Sequence, residues 1–284
     1  MEILVPSDGK INLSLRIVGR RENGYHDLVS VFMRMPSLES LSIVPLKKQD
    51  VDDVVEVRNI PIDGVNLVKR VIDLLRGGGV SVPSLSVSIN KEIPPGTGLG
   101  CGSGNGVAVY KWIESCRENV PHPDVLASVG ADLPFFAQDV SLALVEGVGE
   151  DVSFLPPLEL DCALLIPIWR SATLEAYGAL DRCFSGVWPK GPEEARQEAL
   201  SIVEGLSKGS KIGLLPNDFM KPLMASYPEY RLIFDGIEIS GALAWGLSGS
   251  GSAVFALYRK GSLVKGRLGH LYGLECVEKI ILVE

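Results

Sequence analysis

The chain has 284 residues, 46% of them hydrophobic, enough for one large or two ordinary domain cores. A net charge of -8 with the basic residues scattered rather than striped argues against nucleic acid as the main partner. No apolar run is long enough to cross a bilayer and no signal region follows Met1, so a membrane or secretory destination is not expected.

In chain order, KINLSLRIV (Lys10 to Val18), LSIVPL (Leu41 to Leu46) and VVEVR (Val54 to Arg58) alternate or run apolar in short pieces and are predicted strands. Val65 to Leu75 carries helical spacing, with Asp63 as a cap and Gly77 to Gly79 as the stop. The strand SLSVSIN (Ser84 to Asn90) leads through PPGTGLGCGSGN into a helix from Asn105 to Glu118 whose buried face is Val109, Trp112, Ile113 and Cys116. SLALVEGVGE is a strand ending in a turn, and PLELD (Pro157 to Asp161) marks a boundary before the strand ALLIPI. Helices follow at Thr173 to Asp181, Glu193 to Leu206, Asp218 to Met224 and Tyr227 to Phe234. Strands at ALAWGLSG and SAVFALY, a weak helix near Val264 to Leu271 and the strand VEKIILVE close the chain. Without regular βα alternation the class is α+β in two lobes, residues 1–156 and 157–284.

Five glycines lie within the nine residues Gly96 to Gly104, between a strand and a helix start. Bare backbone at a helix N-terminus suits a phosphate, because the first N–H groups lack helix partners and the dipole favours negative charge. The segment is neither G-x-x-x-x-G-K-[ST] nor G-x-G-x-x-G, since Cys101 stands at the third glycine, and GLSKGSKIG imitates a P-loop in composition only. Composition alone leaves phosphate binding and a structural turn both open. The five cysteines form an odd set without C-x-x-C or a histidine at ligand spacing, which fits a reduced cytoplasm and no protein metal site.

Read together, PSDGKINLSLRIVGRRENGYHDL, PPGTGLGCGSGN and LSGSGSAVF resemble the three ordered motifs of the GHMP kinase superfamily, with GADLPFF, EGVGE and PND as further matches. The resemblance implies an N-terminal α+β lobe, a ferredoxin-like C-terminal lobe, and an active site in the cleft between them. It implies ATP as phosphoryl donor, Mg²⁺ held by ATP oxygens, and a small cytidine-diphosphate sugar alcohol as acceptor, on a monomer or homodimer.

The residues implied as catalytic are Asp132, accepting the hydroxyl proton, and Lys10, offsetting charge on the moving phosphoryl group. Seen alone, Asp132 reads as a helix cap and Lys10 as a solvated lysine. ATP is expected against Asn66 and Leu67, Lys91, and Pro95, Gly96, Gly98, Leu99, Gly100, Gly102, Ser103, Gly104 and Asn105. Alternatives are a helix-start amide for Asn66, an exposed lysine for Lys91 and a helix cap for Ser103. For the acceptor, Tyr25 and His26 are implied to hold the cytosine, with Asn12, Thr173 and Tyr177 as further contacts. Glu150 in EGVGE is either a cation-placing carboxylate or part of a tight turn.

The loop departs from the family's GLGGGSSN, with Cys101 for a glycine and Gly104 for the second serine. A strained Cys101 and a lost phosphate donor at 104 are the expected consequences. A GHMP kinase for another small alcohol, or a sensor that binds without transferring phosphate, stays open on the same fold.

Overall fold

The computed structural model describes residues 2–46, 52–62, 64 and 66–283. The chain divides into two compact units: Met1–Lys10, Arg34–Pro95 and Gly100–Val140 form the first, and Ile11–Met33, Gly96–Leu99 and Ser141–Glu284 the second.

Strands β1 (Ile3–Arg20) and β2 (His26–Pro45) contribute to both units, so the short predicted strands are parts of much longer ones. The first unit adds β3 (Val54–Arg58), α1 (Leu67–Gly77), β4 (Leu85–Asn90), α2 (Cys101–Cys116) and α3 (Leu133–Ala137). Here β4 lies between β3, to which it is parallel, and the end of β2, to which it is antiparallel with Leu41 opposite Ile89. The register puts Leu41, Ile43, Leu85, Val87 and Ile89 into the core. Helix α1 buries Val68, Val71, Ile72 and Leu75, the 3.6-residue stripe expected of it, and packs on α2. Its N-cap is Asn66, whose Oδ1 accepts from the Val68 N–H at 2.9 Å; the predicted cap, Asp63, lies outside the described residues.

Helix α2 begins four residues before the predicted start. Gly100 is its N-cap, in the left-handed region at φ 68°, so Cys101 to Gly104 form the first turn. Val109, Trp112 and Ile113 are buried as expected, but Cys116, at the helix end, is exposed. Ser103 stands inside the first turn and therefore is not the cap.

In the second unit, β5 (Leu142–Gly147) pairs antiparallel with the start of β2, and β6 (Asp151–Phe154) with β5. The remaining elements are β7 (Leu160–Pro167), α4 (Thr173–Phe184), α5 (Pro192–Ser207), β8 (Gly213–Leu214), α6 (Met220–Ser226), α7 (Tyr230–Ile239), β9 (Ala244–Leu247), β10 (Val254–Arg259) and β11 (Val277–Val283). They build a five-stranded sheet of order β11-β7-β10-β9-β8, with the two apolar strands β7 and β10 adjacent and antiparallel. Helices α6 and α7 start later than predicted. The side chains of Asn217 and Asp218 make tertiary bonds, and Tyr227, which precedes Pro228, is held out of helical geometry at ψ 78°. Near the end, the predicted helix is a single 3-10 turn, Lys265–Leu268.

Candidate active site

In the first unit, Lys10 Nζ lies 3.8 Å from Asp132 Oδ2. The lysine side chain is 5% exposed and the aspartate 28%, so the pair joins a dry cation to a carboxylate open to solvent. Asp132 occupies the N-cap position of α3 without making a side-chain cap bond. Burial pushes Lys10 below its ordinary value of 10.5, and Asp132 works against that shift. A lysine whose folded pKa is lowered opposes folding fully below that pKa, and the cost fades as pH rises through it toward 10.5. Lys10→Met is accordingly expected to raise the unfolding midpoint at neutral pH. The gap from the parent should narrow in a pH series toward 10.5, and a lower midpoint for the variant at pH 7 would contradict the sign.

Gly100 sits against this pair. A Cβ there would come 3.1 Å from Asp132 Oδ2 and 3.2 Å from Lys10 Cγ. The N–H groups of Gly102 and Ser103, in the first turn of α2, have no preceding helical carbonyl. Gly102 is exposed and Ser103 half-buried, while Gly104 and Asn105 are buried. The positive φ angles fall on Gly96, Gly98 and Gly100, and Cys101 is helical, so the expected strain at Cys101 does not arise. Burial, reinforced by Glu39, raises its thiol pKa well above the ordinary value. Thiol labelling of the native protein should modify exposed Cys116 quickly and spare Cys101, Cys162 and Cys276; rapid modification of Cys101 would contradict its burial.

Behind the first turn, Glu39 is the acceptor for four groups: Lys91 Nζ at 3.0 Å, Asn105 Nδ2 at 2.8 Å, and the N–H groups of Glu92 and Ile93. Lys91 is thus neither exposed nor on β4; it is 6% exposed and ion-paired just beyond the strand. The sequence reading did not find Glu39. Its signal is an acidic residue at an inward position of SLESLS.

In the second unit, GRRENGYHDL forms the β1–β2 turn, closed by Arg21 N–H to Tyr25 O, with Gly24 at φ 88°. Tyr25 is 64% exposed at its tip. His26 is buried; its Nε2 is 2.6 Å from Asp181 Oδ1, and its ring centroid is 4.8 Å from Tyr177 and 5.6 Å from Trp188. Because an ionised carboxylate only accepts, Nε2 donates. Asp181 and Trp188 were not singled out from the sequence, although Asp181 follows Tyr177 by four on the same helix face. Thr173 is exposed at the start of α4. Asn12 bonds Ser30 Oγ with Nδ2 and the Gly249 N–H with Oδ1. Glu150 folds onto its own turn through the Val148 N–H and pairs with Arg21, which matches the turn reading.

The family profile for the GHMP kinases N terminal domain matches residues 66–145, and that for the GHMP kinases C terminal matches residues 204–267. A 4-diphosphocytidyl-2-C-methyl-D-erythritol kinase of Nitratidesulfovibrio vulgaris (strain Hildenborough) is 31% identical over 91% of this chain and 91% of its own. One from Chlorobium luteolum is 29% identical over 90% of this chain and 88% of its own. A solved 4-(cytidine 5'-diphospho)-2C-methyl-D-erythritol kinase is similar with a TM-score of 0.77 and 27% identity, covering 100% of this chain and 98% of that one. A homoserine kinase from Cytophaga hutchinsonii, at 15% identity and TM-score 0.66 over 100% of this chain and 94% of that one, shares the fold. With both profiles matched in order and full-length relatives above 30% identity, this chain belongs to the GHMP kinase family.

Proposed function

We propose that the protein is a small-molecule kinase transferring the γ-phosphoryl group of ATP to the 2-hydroxyl of 4-diphosphocytidyl-2-C-methyl-D-erythritol. The observation that carries the chemistry is the Lys10–Asp132 pair beside the bare backbone of Gly100 at the head of α2. The relatives' names supply the acceptor.

The loop fits a nucleotide's phosphates, since no side chain separates Gly100 and Gly102 from the first N–H groups of α2. Gly102 and Ser103 would contact the phosphates, whereas Gly104, Asn105 and Lys91 pack or pair behind them. Asn66 and Leu67 would border the base. ATP, when bound, supplies the phosphoryl group, and its oxygens would carry Mg²⁺, with the Ser103 hydroxyl as the protein's contribution. Asp132 accepts the proton of the attacking hydroxyl. Lys10 orients that hydroxyl and stabilises the charge that develops, more strongly for lying in dry surroundings. Tyr25, His26 and Tyr177 would hold the cytosine, with Asp181 fixing the His26 ring through Nε2. The five cysteines, none of them in a disulfide, suit the cytoplasm.

A coupled assay of ADP release with Mg-ATP tests the reading, using the cytidyl substrate beside mevalonate and homoserine. Turnover with the cytidyl substrate alone is expected. Turnover with either other alcohol instead, or nucleotide binding with no turnover at all, would reject it.

A further inference from the structure

Within the second unit, residues 96–98 have no regular structure of their own and are shaped by the turn after β9. The Ser252 and Ser171 N–H groups both donate to Gly96 O, at 3.0 and 2.9 Å, and the Ala253 N–H donates to Thr97 O at 2.9 Å. Ser248 Oγ donates to Gly98 O at 3.0 Å. The fit is tight enough that a Cβ on Gly98 would lie 2.0 Å from Ser248 O. The turn acts as a mould for the first half of the glycine segment.

Gly249 at φ 54° and Gly251 at φ 86° lie in the left-handed region, which glycine permits but does not enforce, so the shape of the mould needs a restraint from outside the turn. Asn217 supplies it. Its Nδ2 donates to Leu247 O and Gly249 O, both at 2.9 Å, and its Oδ1 accepts from the Phe219 N–H at 2.9 Å. Both N–H donors and one acceptor lone pair of a 7%-exposed amide are thereby directed at backbone. From the other side, Asn12 Oδ1 accepts from the Gly249 N–H at 2.8 Å. Asn217 is anchored in turn by its neighbour Asp218, which accepts from Arg16 at 2.6 Å and from the Ile17 N–H at 2.9 Å, while Arg16 also holds Glu198.

We propose that Asn217 is a positioning residue for nucleotide binding: it fixes the 247–251 turn, and the turn fixes the carbonyls and φ angles of Gly96 to Gly98. Asn217 touches no substrate in this account. The inference rests on the reading that the glycine segment lies against the phosphates of ATP.

Calorimetric titration of the full chain with Mg²⁺-AMP-PNP and, separately, with CDP tests it in the parent, Asn217→Ala, Ser248→Ala and the double variant. Asn217→Ala is expected to weaken AMP-PNP about tenfold or more while CDP affinity stays within about twofold, a split that general destabilisation would not produce. Ser248→Ala should weaken AMP-PNP severalfold, and the double variant should lose less than the product of the two, because the residues act in series. Equal AMP-PNP affinity in the parent and Asn217→Ala overturns the proposal, as does a parallel loss of both ligands. Should Asn217→Ala fail to fold, unchanged AMP-PNP affinity in Ser248→Ala overturns it through the next link. A parent that binds CDP but no AMP-PNP overturns the nucleotide reading of the segment, and this proposal with it.

Discussion

Asp132→Asn is expected to lower kcat by about 10²–10⁴-fold, the range a general base supplies, and to leave KM for both substrates within about threefold. Asparagine keeps the shape of the side chain and removes its ability to take a proton. The carboxylate makes no cap bond to α3 and is partly open to solvent, but its neutralisation removes the charge that offsets the burial of Lys10. The unfolding midpoint should therefore fall rather than rise, while the variant still melts cooperatively. Steady-state kinetics and a thermal melt on one preparation separate loss of chemistry from loss of fold. A kcat within threefold of the parent would move the base elsewhere.

Gly104→Ser, which restores the serine usual at that place in the family, lowers stability instead of improving phosphate binding. A Cβ on residue 104 would sit 1.9 Å from the Asp8 carbonyl oxygen and 3.1 Å from Ser7 Oγ. The first of these is backbone and cannot rotate away. Nor can β1 retreat easily, since the Asp8 carboxylate is fastened by Arg34 at 2.8 Å and by the Ser37 N–H at 2.9 Å. Overpacking of this kind costs about 1–3 kcal/mol, so the midpoint should fall by roughly 2–12 °C. Gly102→Ala is the control. Its Cβ would meet only Leu67 Cδ1 at 3.6 Å in an exposed first turn, and its midpoint should not fall. A Gly104→Ser protein as stable as the parent and tighter for ATP would contradict the account. The glycine at 104 is thus a packing requirement of this chain, and the hydroxyl expected there has no room.

The glycine loop was legible in the sequence because its composition is rare between a strand and a helix, and with its two companion motifs in order it carried the resemblance to the family. Where α2 begins was not legible. Glycine and asparagine are poor helix formers, so C-G-S-G-N reads as loop, yet the turn is helical because Gly104 must approach β1 closely. The long strands β1 and β2 were cut short in the reading by their serines, glycines and prolines, residues that pairing on the sheet tolerates once tertiary bonds are made. Asp132 could be read as a cap or as a base; it makes no cap bond to α3 and lies 3.8 Å from Lys10, the geometry on which the proposed base role rests. Glu39, Asp181 and Asn217 act through partners remote in sequence, 52 residues away for Lys91 and 155 for His26, and no local pattern announces such pairs.

The most direct test of the central claim is a proton-coupled phosphorus NMR spectrum of the products from parent protein, Mg-ATP and the cytidyl substrate. Carbon 2 of the acceptor bears the methyl group and no hydrogen, so phosphate on its hydroxyl has no vicinal proton to split it. The account predicts a new phosphomonoester singlet growing with ADP, and none from Asp132→Asn over the same time. A split resonance would place the phosphate on another hydroxyl, and inorganic phosphate alone would mean hydrolysis; either contradicts transfer to the 2-hydroxyl.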